Sequence, residues 1–447
     1  MRQVKYVLLA IFLGAFLFSG CSKRKNPADP TPAAQGNVVF QPVFFRNTLD
    51  TANNALIFNN LRPEPAVRRV RVYLPPGYQP RGQGRPFPTL YLLHDFGVYP
   101  DVAGNITGGT DTYFGFYELA HVMDQLIAAG EIKPMIVVQT DLANFYGGSF
   151  YTNSTSTARF FTAIDSFLVD HIDRTYNTVF GRRSRAVSGQ GMGGYGALKL
   201  VLTGNDTTFG SVSALSAPLA FGDSGSGMGF QSPFYISNGL FAENGVALSD
   251  CVRFRRDTVL FPDPRLTQKI RTNILFALGA ALSPVADTAL FKQKLTQGRR
   301  DSLLAAMPEY FQFSKSPKDP GFLFPITCNG TIIDSVWRRW LTHDIKTMLS
   351  DPSKAARFDS TPFYFSCGLQ DELAMLDQNR DLLNRLIQVR GSARRAGSFI
   401  GMGRDQFYYE EYSGYPGYPA DHTTFISDQL AKTVKFHSQF LDTAGVP

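Results

Sequence analysis

The sequence lacks several features that would define other classes of protein. It contains only four cysteines and six histidines in 447 residues. None of them has the C-x-x-C or H-x-x-x-H spacing of a metal site. The apolar run near the N-terminus, Val7–Phe18, is too short to span a bilayer comfortably. There is no internal repeat that would indicate a solenoid. We therefore expect a globular chain with no metal ion or other cofactor.

The sequence also has no long run of charge of one sign. Its net charge is +7, but the basic residues are dispersed or occur in short pairs such as Arg182-Arg183 and Arg299-Arg300. A nucleic-acid-binding face would require these residues to cluster. We therefore expect a solvated basic surface and no nucleic-acid partner.

The first residues have the pattern of an export signal. Arg2 and Lys5 precede the apolar run, and Ser19-Gly20 precede Cys21. This arrangement resembles the bacterial lipobox, which implies a signal peptide at 1–20 and a lipid on Cys21. The Pro/Ala/charge-rich stretch that follows predicts a flexible tether over 21–37. An ordinary signal peptide with an incidental cysteine is the alternative. Both place the protein in the bacterial cell envelope, and lipidation adds attachment to a membrane.

Apolar patterning after the tether predicts an α/β fold. Uninterrupted apolar runs predict buried strands, period-2 runs predict antiparallel edge strands, and 3.6-residue spacing predicts helices between them. The predicted buried strands are Leu90–Leu93 and Met135–Val138, and the predicted edge strands are Val38–Arg46 and Val67–Leu74. The predicted helices are Asp111–Ala129, Ala158–Tyr176 and Phe425–Leu441. Strands that alternate with helices indicate a mostly parallel sheet. We predict one domain over 38–447.

Residues 218–337 do not show this alternation of strand and helix patterns. They begin with a Gly/Ser loop, Phe221–Gly229, and show helical spacing mainly in Ala286–Leu304. We predict an insertion that forms a partly helical cap over the site and offers a surface to a protein partner. Cys251 and Cys328 lie here, and export permits a disulfide between them. Two free thiols, or a pairing with Cys367, remain open.

The stretch Ser184–Leu198 predicts a buried strand, a sharp glycine turn and a helix. This is the layout of the G-x-S-x-G nucleophile elbow of α/β-hydrolases. The pattern falls on Gly189-Gln190-Gly191-Met192-Gly193, so glycine stands where the nucleophilic serine is required. Gly191 would relax the strained turn while leaving the fold intact.

A resemblance to a known family extends this prediction. RAVSGQGMGGYGALKL resembles the G-x-S-M-G-G-Y-G-A-L segment of the putative-esterase family, which includes esterase-D-like, feruloyl and enterochelin esterases and antigen-85-type mycolyltransferases. RVRVYLPPGYQP, PTLYLLHDFG, EIKPMIVVQTD and PFYFSCGLQDEL are similar to further segments in the family's order. The similarity spans roughly 38–215 and 335–442. It implies an α/β-hydrolase fold and serine carboxylic-ester hydrolysis.

The resemblance also implies two partners for the missing serine. The triad acid maps to Asp371 on the G-x-x-D loop, with Asp377 as a rival and a helix N-cap as a purely structural role. The general base maps to His422, in a Tyr/Gly/Pro-rich loop before the last helix. The order elbow, Asp, His is that of the α/β-hydrolases.

The oxyanion hole of such a site would use the backbone N–H of Met192 and one from the loop after His94, at Asp95 or Phe96. Family members usually have glycine at 95. An aspartate there would repel a developing oxyanion if its carboxylate pointed inward.

A replacement nucleophile is not evident in the sequence. Ser188 is three residues upstream on the elbow strand and is expected to be buried, and nothing aims Ser224 or Ser226 at His422. We therefore hypothesise a catalytically impaired esterase that binds a glycan, phenolic-ester, peptidoglycan or siderophore-like ligand. The Tyr-rich loop Tyr408–Tyr418 suits ring stacking. An active ester hydrolase with an unrecognised nucleophile and a structural protein of the cell envelope are the alternatives.

Overall fold

The computed structural model describes residues 34–45, 67–97, 118–144, 146–222, 228–254, 267–285, 321–390 and 407–443, with 99, 100, 106, 107, 113, 310 and 311. The predicted signal peptide, Cys21, Ser224, Ser226 and the helix at Ala286–Leu304 lie outside these ranges. All described residues belong to one compact unit, Ala34–Pro447. No helix within the described ranges has both the length and the apolar character needed to cross a membrane.

An eight-stranded sheet forms the centre of this unit. Its strands are β1 Asn37–Phe44, β2 Val67–Leu74, β3 Thr89–Leu93, β4 Ile136–Thr140, β5 Arg185–Gln190, β6 Ser211–Leu215, β7 Phe363–Gly368 and β8 Phe407–Tyr412. The spatial order is β1-β2-β4-β3-β5-β6-β7-β8. The first two strands are antiparallel to their neighbours, and all pairs from β4 to β8 are parallel. The predicted mostly parallel α/β sheet is confirmed.

Helices cover both faces of the sheet. They are Leu119–Ala128, a helix that runs from Phe160 to Thr175 through a π-helical turn at Ala163–Leu168, Met192–Thr203, Ile270–Leu282, Asp334–Leu341, Ile345–Met348, Pro352–Asp359, Met375–Arg390 and Ile426–Phe440. Two apolar cores result, one on each side of the sheet. Within the described residues, the helix predicted over Asp111–Ala129 begins at Leu119, directly after Glu118, which has a left-handed backbone (φ 46°).

The segment between β6 and β7 contributes no strand to the sheet within its described residues. It has the helix Ile270–Leu282, a π-helical turn at Ile236–Phe241 and a short ladder between Tyr310–Phe311 and Phe322–Leu323. Cys251 and Cys328 are joined by a disulfide, with their Cα atoms 4.9 Å apart, and Cys367 is a buried free thiol. The Tyr235 hydroxyl donates to the Leu373 carbonyl at 2.6 Å, so the segment is tied to the loop after β7.

Candidate active site

The turn after β5 has the geometry of a nucleophile elbow. The strand ends at Gln190, Gly191 has φ 50° and ψ −118°, and the helix begins at Met192. Side chains rarely tolerate this backbone conformation, so glycine relieves strain here. The turn is also crowded, because a Cβ on Gly193 would overlap the Leu93 carbonyl. The chain therefore keeps the shape of the elbow while offering no side-chain atom at its tip.

Asp371 and His422 meet next to this turn. His422 Nδ1 lies 2.8 Å from Asp371 Oδ2, and the other oxygen, Oδ1, accepts the N–H groups of Leu373 (3.0 Å) and Met375 (3.2 Å). Asp371 thus both caps the following helix and orients the imidazole. Asp377, the rival candidate, lies in the first turn of that helix.

Backbone contacts fix the position of the His422 loop. Gln190 Nε2 donates to the His422 carbonyl at 2.7 Å, and the His422 N–H donates to Glu372 Oε2 at 2.8 Å. Ala420 and Gln370 exchange two further hydrogen bonds, each of 3.0 Å. The ring is therefore held in place from the elbow strand and from the acid loop. Such fixing of a general base is what triad geometry requires.

The Asp95 carboxylate fills the place of the missing serine side chain. A Cβ built on Gly191 would overlap Cγ and both carboxylate oxygens of Asp95. Oδ2 lies 2.9 Å from His422 Nε2, the ring nitrogen that would face a serine hydroxyl. Oδ1 accepts the N–H of Met192 at 2.8 Å and that of Phe96 at 2.6 Å. One carboxylate thus stands in both for a nucleophile oxygen and for an oxyanion.

This placement answers a question that the sequence left open. The N–H groups of Met192 and Phe96 do converge on one point, as expected of an oxyanion hole. Asp95 contributes its carboxylate, which points inward. This is the orientation expected to repel a developing oxyanion, and Oδ1 already accepts both N–H groups. The sequence signal was present, because His94-Asp95 departs from the His-Gly of the resembling family.

A buried network holds the Asp95 loop. His94 Nδ1 bonds the Asp95 carbonyl at 2.8 Å, and His94 Nε2 accepts the Leu142 N–H at 2.9 Å. Because Nε2 accepts, Nδ1 must carry the proton and the ring is neutral, consistent with burial lowering the His94 pKa. The Tyr151 hydroxyl donates to the His94 carbonyl at 2.9 Å. The loop is therefore pre-organised and does not depend on Asp95 alone.

Charge in the site favours a protonated His422. Burial by itself opposes the charge, but Asp371 and Asp95 together raise the pKa of His422 well above its ordinary value. Burial likewise opposes the charge on Asp371, yet His422 and its hydrogen bonds bring the pKa of that carboxyl below its usual value. Near neutral pH the site is an imidazolium between two carboxylates. A protonated imidazole cannot act as a general base.

A second Ser–His cluster, which no sequence motif indicates, lies in the core. Ser213 Oγ donates to Ser188 Oγ at 2.7 Å and lies 2.9 Å from His437 Nε2, while Ser211 Oγ lies 2.8 Å from His437 Nδ1. All four residues are buried, and burial lowers the pKa of His437 to about 3. Ser188 is thus buried as predicted, and the cluster is closed to substrate.

The described residues offer no alternative metal chemistry. Within them, no group of three His, Cys, Asp or Glu side chains is arranged to hold a metal ion. Cys367 Sγ lies 3.7 Å from Asp371 Oδ2, where burial raises the thiol pKa well above its ordinary value. This thiol is a packing neighbour of the acid and not a thiolate nucleophile.

The fold and the site together define the class of protein. A parallel sheet with an elbow after β5, an acid after β7 and a histidine after β8 is that of an α/β-hydrolase. The family model described as "Putative esterase" matches residues 65–414. The chain belongs to this family.

Two curated proteins are similar in sequence to part of the chain. It is 30% identical over 221 residues to "Esterase MT1326" of Mycobacterium tuberculosis (strain CDC 1551 / Oshkosh), covering 44% of this chain and 43% of the relative. It is 31% identical over 154 residues to "Endo-1,4-beta-xylanase/feruloyl esterase" of Xylanibacter ruminicola, covering 34% of this chain and 19% of the relative. The chain therefore spans less than half the length of either relative.

Two solved structures are also similar to the chain, at lower sequence identity. A ferulic acid esterase has 15% identity and a TM-score of 0.49, covering 92% of this chain and all of its own. FphF, a fluorophosphonate-binding serine hydrolase of Staphylococcus aureus, has 12% identity and a TM-score of 0.45. The match covers 90% of this chain and 99% of FphF.

Proposed function

We propose that this protein is an esterase-family member that has lost serine-type ester hydrolysis and acts by binding a ligand. The observation that carries the proposal is the Asp95 carboxylate, which stands where the serine oxygen and the oxyanion would be. Ester-type chemistry is the family's; its loss in this chain is our inference.

Three requirements of acyl transfer fail together at this site. There is no hydroxyl at Gly191, and the two N–H donors of Met192 and Phe96 are taken by Asp95 Oδ1. The imidazole of His422 is held protonated by its two carboxylate neighbours. Removal of one oxyanion donor alone costs about 10²–10³ in rate, and removal of the nucleophile costs still more. Hydrolysis of carboxylic esters is therefore not expected.

An exposed aromatic hairpin next to the His422 loop supports a binding role. Tyr415 and Tyr418 are 71% and 70% exposed and bridge each other through backbone hydrogen bonds of 2.9 and 2.8 Å. The Tyr415 ring packs edge-on against Phe425, with centroids 5.5 Å apart. Leu369 of the acid loop is 39% exposed. Its N–H donates a hydrogen bond to the carbonyl of Tyr412, the last residue of β8. These rings are suited to stacking on a sugar or a phenolic ring.

The ligand class follows from this surface and from the named relatives. A glycan or a glycan-linked phenolic ester would use the tyrosines for stacking, and one of the relatives is named a feruloyl esterase. A peptidoglycan or siderophore-like ligand is compatible with the same rings. The N-terminal pattern supports a location in the bacterial cell envelope, with a lipid on Cys21 holding the domain to a membrane. The segment 218–337 is a proposed surface for a protein partner.

Ester hydrolysis by designed variants tests the loss of catalysis. We would measure release of p-nitrophenol from p-nitrophenyl acetate by the wild type, His422→Ala, Gly191→Ser, Asp95→Gly/Gly191→Ser and the double variant that also carries His422→Ala. We expect turnover only from Asp95→Gly/Gly191→Ser, because that change alone restores a hydroxyl and vacates the N–H pair. Turnover by the wild type that His422→Ala abolishes would overturn the proposal.

Ligand binding is tested separately by calorimetry with feruloylated oligosaccharide. We expect the wild type to bind it and Tyr415→Ala/Tyr418→Ala to bind at least about tenfold more weakly, since loss of one or two stacked rings costs about 1–3 kcal/mol. Phe180→Ala is a matched control, because Phe180 is also exposed (59%) but lies in the loop before β5. Equal loss in both variants, or binding unaffected by the tyrosines, would exclude the hairpin as the binding surface.

A further inference from the structure

The Asp95 carboxylate has the surroundings of a nucleophile and not of a simple structural contact. Oδ1 is fixed by the N–H groups of Met192 and Phe96, while Oδ2 faces His422 Nε2. Asp371 orients the far side of the same ring. Enzymes use carboxylates of this kind to form covalent intermediates.

We propose that Asp95 is a nucleophile toward epoxides, and that Asp95, His422 and Asp371 convert an epoxide and water into a diol through an ester on Asp95. The inference goes beyond the proposed function and rests on the same placement of Asp95, but not on the tyrosine hairpin.

Carboxylic esters do not fit this carboxylate. Attack of Asp95 on an ester carbonyl would form an anhydride and expel an alkoxide, and the carboxylate is by far the better leaving group, so the adduct would collapse backwards. The oxyanion of such an adduct would also find the N–H groups of Met192 and Phe96 taken by Oδ1. Displacement at a saturated carbon needs no oxyanion hole. An epoxide supplies a saturated electrophilic carbon whose leaving group remains attached to the product.

Asp95 is the most exposed of the three side chains. The Asp95 side chain is 18% exposed, whereas those of His422 and Asp371 are 5% and 0% exposed. A substrate therefore has more access to the carboxylate than to the ring or to its orienting acid. The His94 and Tyr151 contacts already hold the Asp95 loop in this position, which avoids a cost of reorganisation during reaction.

In the first step, Asp95 Oδ2 attacks one carbon of the epoxide and the C–O bond of the ring breaks. The alkoxide that forms takes the proton from His422 Nε2. The products are a hydroxyalkyl ester of Asp95 and a neutral His422, which still donates Nδ1–H to Asp371. A neutral imidazole next to an uncharged ester can now act as a base, which the resting site does not allow.

In the second step, His422 Nε2 removes a proton from water, and the resulting hydroxide attacks Cγ of the Asp95 ester. Negative charge develops on Oδ1, which lies between the N–H groups of Met192 and Phe96. The intermediate collapses, and the diol leaves with the proton from His422. Asp95 is released as the carboxylic acid and returns its proton to His422, which restores the resting site. The sum is one epoxide and one water to one diol.

The test uses the full chain with 4-nitrophenyl glycidyl ether and styrene oxide as probes. Diol formation is followed by chromatography in the wild type and in Asp95→Asn. We expect the wild type to form diol and Asp95→Asn to be slower by at least about a hundredfold. Asp170→Asn is a matched control, since Asp170 is a half-exposed carboxylate that pairs with Arg174 on its own helix, and it should react as the wild type does.

Isotope labelling distinguishes covalent from direct attack by water without any variant. In a single turnover in H₂¹⁸O, the label should enter the Asp95 carboxylate, and the first diol should carry the unlabelled oxygen of Asp95. His422→Gln lacks both the acid of the first step and the base of the second, so the ester should form more slowly on Asp95 but persist there, and be found by intact mass and peptide mapping after long incubation. The proposal would be overturned if the ¹⁸O from water entered the first diol and none entered the Asp95 carboxylate. So would the absence of both diol and adduct with both probes. Neither result bears on ester hydrolysis or on the tyrosine hairpin, whose failure would be read in their own assays.

Discussion

The carboxylate of Asp95 occupies the volume that a side chain on Gly191 would need. The two residues lie on different loops, at the ends of neighbouring strands β3 and β5, and each departs from what a serine esterase requires. The departures are complementary, because the glycine leaves space that the aspartate fills. This pairing explains how the chain keeps an orderly hydrogen-bonded site without its serine.

The pairing predicts strong coupling between the two positions. Gly191→Ser alone should lower the free energy of unfolding by about 1–3 kcal/mol, since it adds backbone strain at φ 50° and overlap with Asp95. Asp95→Gly/Gly191→Ser should recover part of this loss, with a coupling energy of about 0.5–3 kcal/mol. Urea unfolding of the wild type, both single variants and the double variant measures it. Additive effects would contradict the overlap.

The charged His422 predicts a loss of stability at alkaline pH. Its pKa is raised in the folded state, so its contribution is complete below the unfolded value near 6.5 and is lost as the pH rises through the folded pKa. Asp371 has a lowered pKa, so its contribution is present above its unfolded value near 3.8 and is lost as the pH falls below it.

Thermal unfolding from pH 3 to pH 10 checks both directions. Asp95→Asn removes one of the two charges that raise the His422 pKa, so the alkaline loss should begin at lower pH than in the wild type. The imidazole protons of His422, followed by NMR, report the same change directly. An unchanged alkaline limb in Asp95→Asn would show that His422 is not the titrating group.

Buried Lys199 predicts a pH dependence of the opposite sign. Burial lowers its pKa from 10.5 to about 7, and its Nζ contacts Thr152 Oγ1 at 2.5 Å and His343 Nδ1 at 3.2 Å. The unfolded chain binds more protons between these values, so stability should rise from about pH 7 to pH 10.5, by at most about 5 kcal/mol. Lys199→Met should remove this rise. An identical pH profile in the variant would mean that Lys199 titrates normally.

The Cys251–Cys328 disulfide predicts a measurable loss of stability on reduction. The bridge spans 77 residues of sequence, and closing a loop of this length corresponds to about 4.5 kcal/mol in the chain-entropy model. Cys251→Ser/Cys328→Ser should therefore unfold at lower denaturant concentration and be insensitive to dithiothreitol. Cys367→Ser, which removes the buried free thiol, serves as the control and should keep the response to reductant.

Much of the architecture could be predicted from local pattern. The apolar runs at Leu90–Leu93 and Met135–Val138 fall on central strands, and the glycine-dense turn at Gly191 falls between a strand and a helix as expected. Helix limits were less predictable, because the start at Leu119 depends on the left-handed Glu118, which apolar spacing does not report. The π-helical turn at Ala163–Leu168 likewise leaves the helical spacing of the sequence nearly unchanged.

The sequence by itself determined the α/β fold, the elbow without a serine, and the order in which an acid and a histidine follow it. These features depend on local propensity and on patterns within a few dozen residues. The direction of the Asp95 side chain was decided only by the tertiary structure. Asp95 meets Met192 across 97 residues and His422 across 327, because parallel strands bring the loops at their carboxyl ends to one edge of the sheet. There two N–H groups and an imidazole stabilise an inward carboxylate, whose orientation the sequence alone left open.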